Sequence, residues 1–169
     1  FMTTTFSLNS IGNMPLLVYR TNPLRHLHNR IVKRLFDIIV SLIAVVIVSC
    51  TVLVPIIIAI KLSSKGPILF KQKRTGYRGK EFTCLKFRTM KINADADNRQ
   101  ATKDDPRKTK VGDFLRRTSL DELPQFLNVL EGSMSVVGPR PHMVKQTDEY
   151  RKLIDRYMVR HVIKPGITG

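Results

Sequence analysis

Apolar residues are spread unevenly along this chain. Residues 38–60, IIVSLIAVVIVSCTVLVPIIIAI, carry no charge, and only Ser41, Ser49, Thr51 and Pro55 interrupt the apolar pattern. At about 1.5 Å per helical residue the run is roughly 34 Å long, enough to cross a hydrocarbon core. The helix of a soluble domain carries a polar stripe, and none is present here, so the pattern predicts a membrane-embedded helix over residues 30–62. The run starts too far into the chain and is too long to be the core of a signal peptide.

Charge on either side of this run bears on its topology. Arg20, Arg25, Arg30, Lys33 and Arg34 precede it with Asp37 as the one nearby acid, and residues 61–91 hold ten Lys/Arg against Glu81. Two basic flanks both favour the cytoplasmic face, so a helix that enters and returns satisfies the positive-inside rule better than a kinked simple span. Pro55 offers the break, because it cannot donate to the carbonyl of Thr51.

Upstream, residues 1–29 are punctuated by Asn, Pro and Gly around one short apolar run, residues 15–19, and read as a leader with a single strand. Downstream, residues 67–74 (PILFKQKR) and 81–89 (EFTCLKFRT) predict two strands joined by a turn over 75–79, a basic β-hairpin. Residues 90–110 are polar and read as a short helix and loop. The aspartates at 95, 97, 104 and 105 lack the offsets of a calcium loop. Residues 143–162 predict an amphipathic helix, with Met143, Tyr150, Leu153, Ile154, Tyr157 and Met158 on one face. Packing on the hairpin and lying at a membrane surface are both open to it. The chain then stops at 164–169, KPGITG, in what reads as a turn, so the domain over residues 63–169 is expected to be cut short at its C-terminus.

Composition narrows the partners. The 169 residues are 43% hydrophobic, enough for a core, yet carry a net charge of +16. Such basicity implies nucleic acid, an acidic membrane surface or phosphorylated substrates. No nucleic-acid module is recognisable, and the basic residues flank an apolar run instead of lining an exposed helix. Cys50 and Cys84 cannot form a disulfide framework or a Cys-rich zinc site, and His26 and His28, among basic residues, read as surface groups.

Candidate chemistry lies in residues 111–141. Leu120, Leu123, Phe126, Leu127 and Leu130 recur at helical spacing, with Gly132 at the expected C-cap. Residues 119–122 form an S-x-x-E capping box that predicts Ser119 as N-cap, with Asp121 and Glu122 in the first turn. Carboxylates there complement the helix dipole without any catalytic purpose. Among Arg116, Arg117 and Arg140 of Gly138-Pro139-Arg140-Pro141, however, an ionised carboxylate can also serve as a nucleophile or hold a hard cation. A planar guanidinium on a stiff turn suits phosphate oxygens. These are the parts that phosphoryl transfer requires.

The motifs in order are KRLFD (33–37), GPILFKQKRTG (66–76), CLKFRTM (84–90), RRTSLDELPQFLNVLEGSMSVVGPRP (116–141) and KPGITG (164–169). Together they resemble the bacterial polyprenyl-phosphate phosphoglycosyl transferases, monotopic sugar transferases of the undecaprenyl-phosphate glucose or galactose phosphotransferase type. The resemblance implies an α+β fold: a re-entrant membrane helix followed by a small, mostly helical cytoplasmic domain with a β-hairpin and interfacial amphipathic helices. It implies transfer of a sugar 1-phosphate from a UDP-sugar to undecaprenyl phosphate, with release of UMP, at the bacterial inner membrane. That is the first membrane step of exopolysaccharide, capsule or O-antigen lipopolysaccharide biosynthesis.

By the same resemblance, Asp121 is the nucleophile that forms a covalent phosphosugar intermediate and Glu122 its partner, both near a Mg²⁺ ion. Arg140, Arg116, Lys86 and Arg88 match substrate-binding basic residues. Membrane lipids are implied partners, nucleic acid is not, and homo-oligomerisation is left open. Residues 10–30 resemble the junction before this domain in larger members, so the chain is expected to be a fragment of one. It departs from the family in three places: Cys50 follows Ser49 where Ser-Pro is common, Ser133 replaces an acid, and a segment after KPGITG is missing. A non-catalytic, membrane-tethered polybasic module would explain charge and anchor equally well, but gives no reason for five motifs in order.

Overall fold

The computed structural model describes residues 5–11, 14–20, 23–91, 105–153 and 161–168. It divides into two units, Phe1–Phe36 and Asp37–Gly169. In the first, β1 (Thr5–Ile11) pairs antiparallel with β2 (Met14–Arg20), in register from Thr5 opposite Arg20 to Ile11 opposite Met14. The single expected strand is therefore one half of a hairpin. Its partner, TFSLNSI, is diluted by Ser, Asn and Thr and carries little strand signal on its own.

The long apolar run forms two helices, α1 (Leu27–Thr51) and α2 (Leu53–Ser63), bent by 63° about Val52. Pro55 explains where the bend falls. Lacking an N–H, it leaves the Thr51 carbonyl without its helical donor, and its ring crowds that turn. The ladder resumes at Ile56, which donates to Val52 O at 3.1 Å, while Thr51 Oγ1 turns back to Ile47 O at 2.7 Å. No single helix among the described residues is long and apolar enough to cross a membrane, but the bent pair passes that test by length and composition.

Beyond Ser63 the expected hairpin is present, with β3 (Leu69–Thr75) antiparallel to β4 (Glu81–Phe87) around a short 3-10 turn, Tyr77–Gly79. Cys84 and Phe87 lie at opposite parity on β4 and are both buried, so this strand is covered on two faces. Phe87 joins Ile56, Ile60 and Leu115 in one cluster, which anchors α2. Cys84 joins Val129 and Met134 in another. Leu115 belongs to α3 (Lys110–Arg117), whose N-cap Thr109 accepts a bond from Gly112 N at 2.9 Å. Of the four aspartates in the preceding polar stretch, only Asp105 is among the described residues. It is buried and paired with Arg107 at 2.6 Å.

Where a capping box was expected, the backbone does something else. Ser119 adopts a left-handed conformation (φ 56°, ψ 14°) and its side chain caps nothing. Pro124 is the cause, since it has no N–H for the carbonyl of Leu120. Leu123 N reaches that carbonyl instead, at 3.3 Å, which closes a 3-10 turn over Leu120–Glu122. Only then does α4 (Gln125–Glu131) begin, and it ends as expected at Gly132, with φ 98°.

Side-chain hydrogen bonds from α4 seal the outer edge of β4. Asn128 Oδ1 accepts from Leu85 N, and Asn128 Nδ2 donates to Thr83 O, both at 2.9 Å. After Gly132 a short strand, β5 (Ser135–Val137), pairs in parallel with β6 (Gly166–Thr168). Residues 164–169 were expected as a loose terminal turn, yet 166–168 form part of a sheet. Gly166 N donates to Pro139 O at 3.0 Å and Gly138 N to Thr168 O at 3.1 Å. A Cβ on Gly166 would sit 2.1 Å from Gly138 N, so both glycines are needed for the approach. Between these strands, α5 (Val144–Leu153) covers the start of the expected amphipathic helix. Ile154, Tyr157 and Met158 of its expected apolar face lie outside the described residues.

Replacing Asn128 by Ala strips Leu85 N–H and Thr83 C=O of their partners at a buried edge. We expect a loss of about 1–3 kcal/mol in unfolding free energy, read from chemical denaturation in detergent. Unchanged stability would show that the edge does not depend on this side chain.

Candidate active site

Cations from two separate pieces of chain converge on one carboxylate. Glu122, on the 3-10 turn, receives Lys86 Nζ from β4 at 2.7 Å and Arg140 Nη2 from the GPRP turn at 3.1 Å, both on Oε1. Lys86 reaches it because β4 alternates: Phe82, Cys84 and Lys86 share one face, with the apolar pair inward and the ammonium at the rim. The Lys86 and Glu122 side chains are only 22% and 18% exposed, whereas that of Arg140 is 67% exposed. Lys86 is therefore held as fixed positive charge beside Glu122, and Arg140 is the member best placed to turn toward a ligand.

The Arg140 backbone is clamped on both sides. Hydrogen bonds to β6 hold Pro139 and Gly138, as above. On the other side, Arg74 Nη1 donates to Pro141 O at 3.3 Å and Thr75 N to His142 O at 3.1 Å. Arg74 also donates to Gln72 Oε1 at 2.6 Å. Burial lowers its pKa, and the neighbouring Arg140 adds to that. Arg74 was not singled out from the sequence, although it stands in the FKQKR segment. It lines the same cleft as Lys86, Glu122 and Arg140, with Cys84 and Ile167 as apolar surface.

Asp121 is buried beside this cluster. Burial pushes its carboxyl pKa up; Lys86 pulls it down, Glu122 raises it further, and Arg116, at the end of α3, opposes that. Counting Lys86, Arg140, Arg116 and Arg74, four cations act on two carboxylates, a surplus that suits a phosphate group. The Cys84 thiol is raised by burial and so is no rival as an anionic nucleophile. Glu122 and Asp121 are the carboxylates available to a divalent cation here. No group of three or more His, Cys, Asp or Glu side chains is assembled among the described residues. Two carboxylates completed by waters and substrate phosphates are a donor set that Mg²⁺ accepts.

One expected member stands apart. Arg88 is 6% exposed and donates through Nη2 to Ser64 O at 2.6 Å and Ile60 O at 3.5 Å, at the end of α2. It caps a helix C-terminus, where a cation is favourable, instead of joining Lys86 at the cleft. Two polar residues that sequence reasoning passed over also matter: Asn128, a lone carboxamide among Leu127, Val129 and Leu130, and Asp37, at the edge of the apolar run. A polar side chain where a hydrophobic one is expected was the available signal for both.

Comparison with known proteins shows the family. A family model described as bacterial sugar transferase matches residues 28–169. The UDP-glucose:undecaprenyl-phosphate glucose-1-phosphate transferase of Escherichia coli K12 is 51% identical over 163 residues, covering 96% of this chain and 35% of that protein. The transferases of the same name from Klebsiella pneumoniae and Xanthomonas campestris are 52% and 46% identical over 94% and 96% of the chain, and 34% of each of those proteins is covered. The chain thus spans about a third of the length of these relatives. Because the family model takes in the bent helix, the hairpin, the acidic turn and the GPRP turn together, this chain belongs to the bacterial sugar transferase family.

Proposed function

We propose that this domain transfers a sugar 1-phosphate from a UDP-sugar to undecaprenyl phosphate, releasing UMP, with Asp121 as covalent nucleophile. The observation that supports this most is the Lys86–Glu122–Arg140 cluster beside a buried aspartate. Fixed positive charge next to a carboxylate drawn out of water suits a diphosphate substrate. In the first step, an Asp121 oxygen attacks the sugar-bearing phosphorus. The bond from that phosphorus to the UMP oxygen breaks, and UMP departs with the bonding pair. In the second, an oxygen of undecaprenyl phosphate attacks the same phosphorus. The aspartyl oxygen leaves, which restores Asp121 and yields undecaprenyl-diphosphate-sugar.

Arg140, Arg116 and Lys86 neutralise charge on the phosphates, and Arg74 holds the turn that presents Arg140. Glu122, with Asp121, would hold Mg²⁺, which supplies further neutralisation of the diphosphate. Glucose is the first sugar to test, since the relatives described above are named for it.

The same reading seats α1 and α2 in the cytoplasmic face of the bacterial inner membrane as a re-entrant pair. Ile38, Ile39, Leu42, Ile43, Val46 and Ile47 of α1, with Val54, Ile58 and Leu62 of α2, are exposed. Apolar surface of that extent suits lipid. The positive-inside rule, applied to two basic flanks, favours this re-entrant reading over a simple span. The product is the lipid-linked sugar on which exopolysaccharide, capsule or O-antigen chains are built.

Burial of Asp121 also carries a stability cost with a definite sign. A carboxyl whose pKa is raised on folding binds its proton more tightly in the folded state. Its ionised form therefore subtracts stability above the folded pKa, and the penalty vanishes below the unfolded value.

Three outcomes follow. A full-length protein incubated with UDP-glucose, undecaprenyl phosphate and Mg²⁺ in detergent should release UMP and retain radiolabelled sugar phosphate after denaturation; Asp121→Asn should abolish both. Full activity in that variant would remove Asp121 from the mechanism, and an inert wild type that still binds anionic vesicles would favour a non-catalytic polybasic module. Asp121→Asn should also melt at a higher temperature than wild type at neutral pH, with the gain shrinking as pH falls toward the ordinary carboxylate range. Lastly, single cysteines placed on either flank of the α1–α2 pair should escape membrane-impermeant thiol reagents applied to intact cells. Labelling of one flank alone would establish a true span.

A further inference from the structure

Within the second unit, the part of α1 from Asp37 onward is held unlike α2. Ile56 and Ile60 hold α2 by apolar burial, but the buried residues of α1 are Asp37 and Ser41, one turn apart on one face. Neither can anchor a helix by the hydrophobic effect. Asp37 is 3% exposed, and its Oδ1 accepts two hydrogen bonds from β5, from Ser135 Oγ at 3.0 Å and from Val136 N at 3.0 Å. The partners are 98 and 99 residues away in sequence. A carboxylate at the rim of a long apolar helix ordinarily faces water or a basic flank; this one faces the interior of the transferase domain.

The strand it grips leads directly to the site. Val137 is followed by Gly138 and Pro139, whose backbones bond to β6, and then by Arg140, which reaches Glu122. We infer that Asp37 is a positioning residue that latches the membrane helix to β5 and thereby places Arg140 over the acidic turn. This deepens the functional reading above and rests on it: the distance from the lipid surface to the phosphate-binding arginine is set by one buried carboxylate. The bend then has a role beyond insertion. It lets α1 reach β5 by a polar latch while α2 docks beneath β4 and α3 by apolar contact, so the two arms report to the two halves of the cluster.

The test uses full-length protein in nanodiscs and has two readouts. Hydrogen exchange does not require activity. Asp37→Ala is expected to speed exchange across residues 135–141 and 165–168 while leaving the β3–β4 hairpin unchanged. Asp37→Asn, which keeps an acceptor oxygen, should restore protection, and Ser135→Ala, which removes one of the two bonds, should loosen the same segment less. Uniform loosening of the whole domain, or none, would overturn the latch. The second readout is kcat/KM for UDP-glucose. Asp37→Ala should lower it about 10- to 100-fold in the wild-type background, but by less than about 3-fold in an Arg140→Ala background, since the latch acts through that arginine. Equal losses in both backgrounds would overturn the assignment. Absence of UMP release from the wild type would instead count against the functional reading and leave the exchange result to decide the latch.

Discussion

A strand covered on both faces must still satisfy the hydrogen-bonding groups along its outer edge, and at Thr83 and Leu85 β4 does this with one side chain. The carboxamide of Asn128 presents an acceptor to Leu85 and a donor to Thr83, much as a neighbouring strand would. That pairing sets the register of α4 against β4. Because α4 follows the acidic turn after only two residues, it also sets where Glu122 meets Lys86. The two clusters on either side of β4, around Phe87 and around Cys84, then hold the arrangement by ordinary burial.

The electrostatics of the site follow from that placement. Glu122 is engaged by two cations on a single oxygen, while Asp121, its neighbour in sequence, is buried and has its carboxyl pKa raised chiefly by loss of water. Adjacent carboxylates thus acquire different environments from a turn too tight to present them alike. A regular helix starting at Ser119 would have put both in an exposed first turn. Pro124 prevents it and leaves Ser119 in a left-handed conformation that non-glycine residues seldom adopt. Local backbone strain and a desolvated aspartate are costs to the fold that the surrounding packing offsets, as at other reactive sites.

The net charge of +16 is put to separate uses. Lys86, Arg140, Arg116 and Arg74 surround the two carboxylates. Arg88 caps α2, and Arg30, Lys33 and Arg34 near the start of α1, with the Lys/Arg residues from Lys61 onward, flank the apolar run. Arg88 shows how far chemistry depends on placement. It stands two residues from Lys86 in the same motif, yet it binds the carbonyls of Ile60 and Ser64 and has no part in the cleft.

The elements governed by near neighbours were legible in the sequence. These were the long apolar run, the β3–β4 hairpin, the glycine stop of α4 and the association of Asp121 and Glu122 with arginines, because each depends on periodicity, turn chemistry or contiguous motifs. The proline break was legible too, although the bend lies at Val52: a missing N–H frees a carbonyl four residues back. The structure overturned the helix start at Ser119, where one proline outweighed a favourable cap, and the loose reading of 166–168, which the parallel pairing of β6 with β5 replaces. It alone assigned Arg88 to α2, Arg74 to the GPRP turn, Asn128 to the β4 edge and Asp37 to β5. Each of those four is a polar side chain with at least one hydrogen-bond partner 24 or more residues away. Sequence by itself determined which groups exist and which local shapes they favour; tertiary structure decided which of them are desolvated, and so which must find a partner.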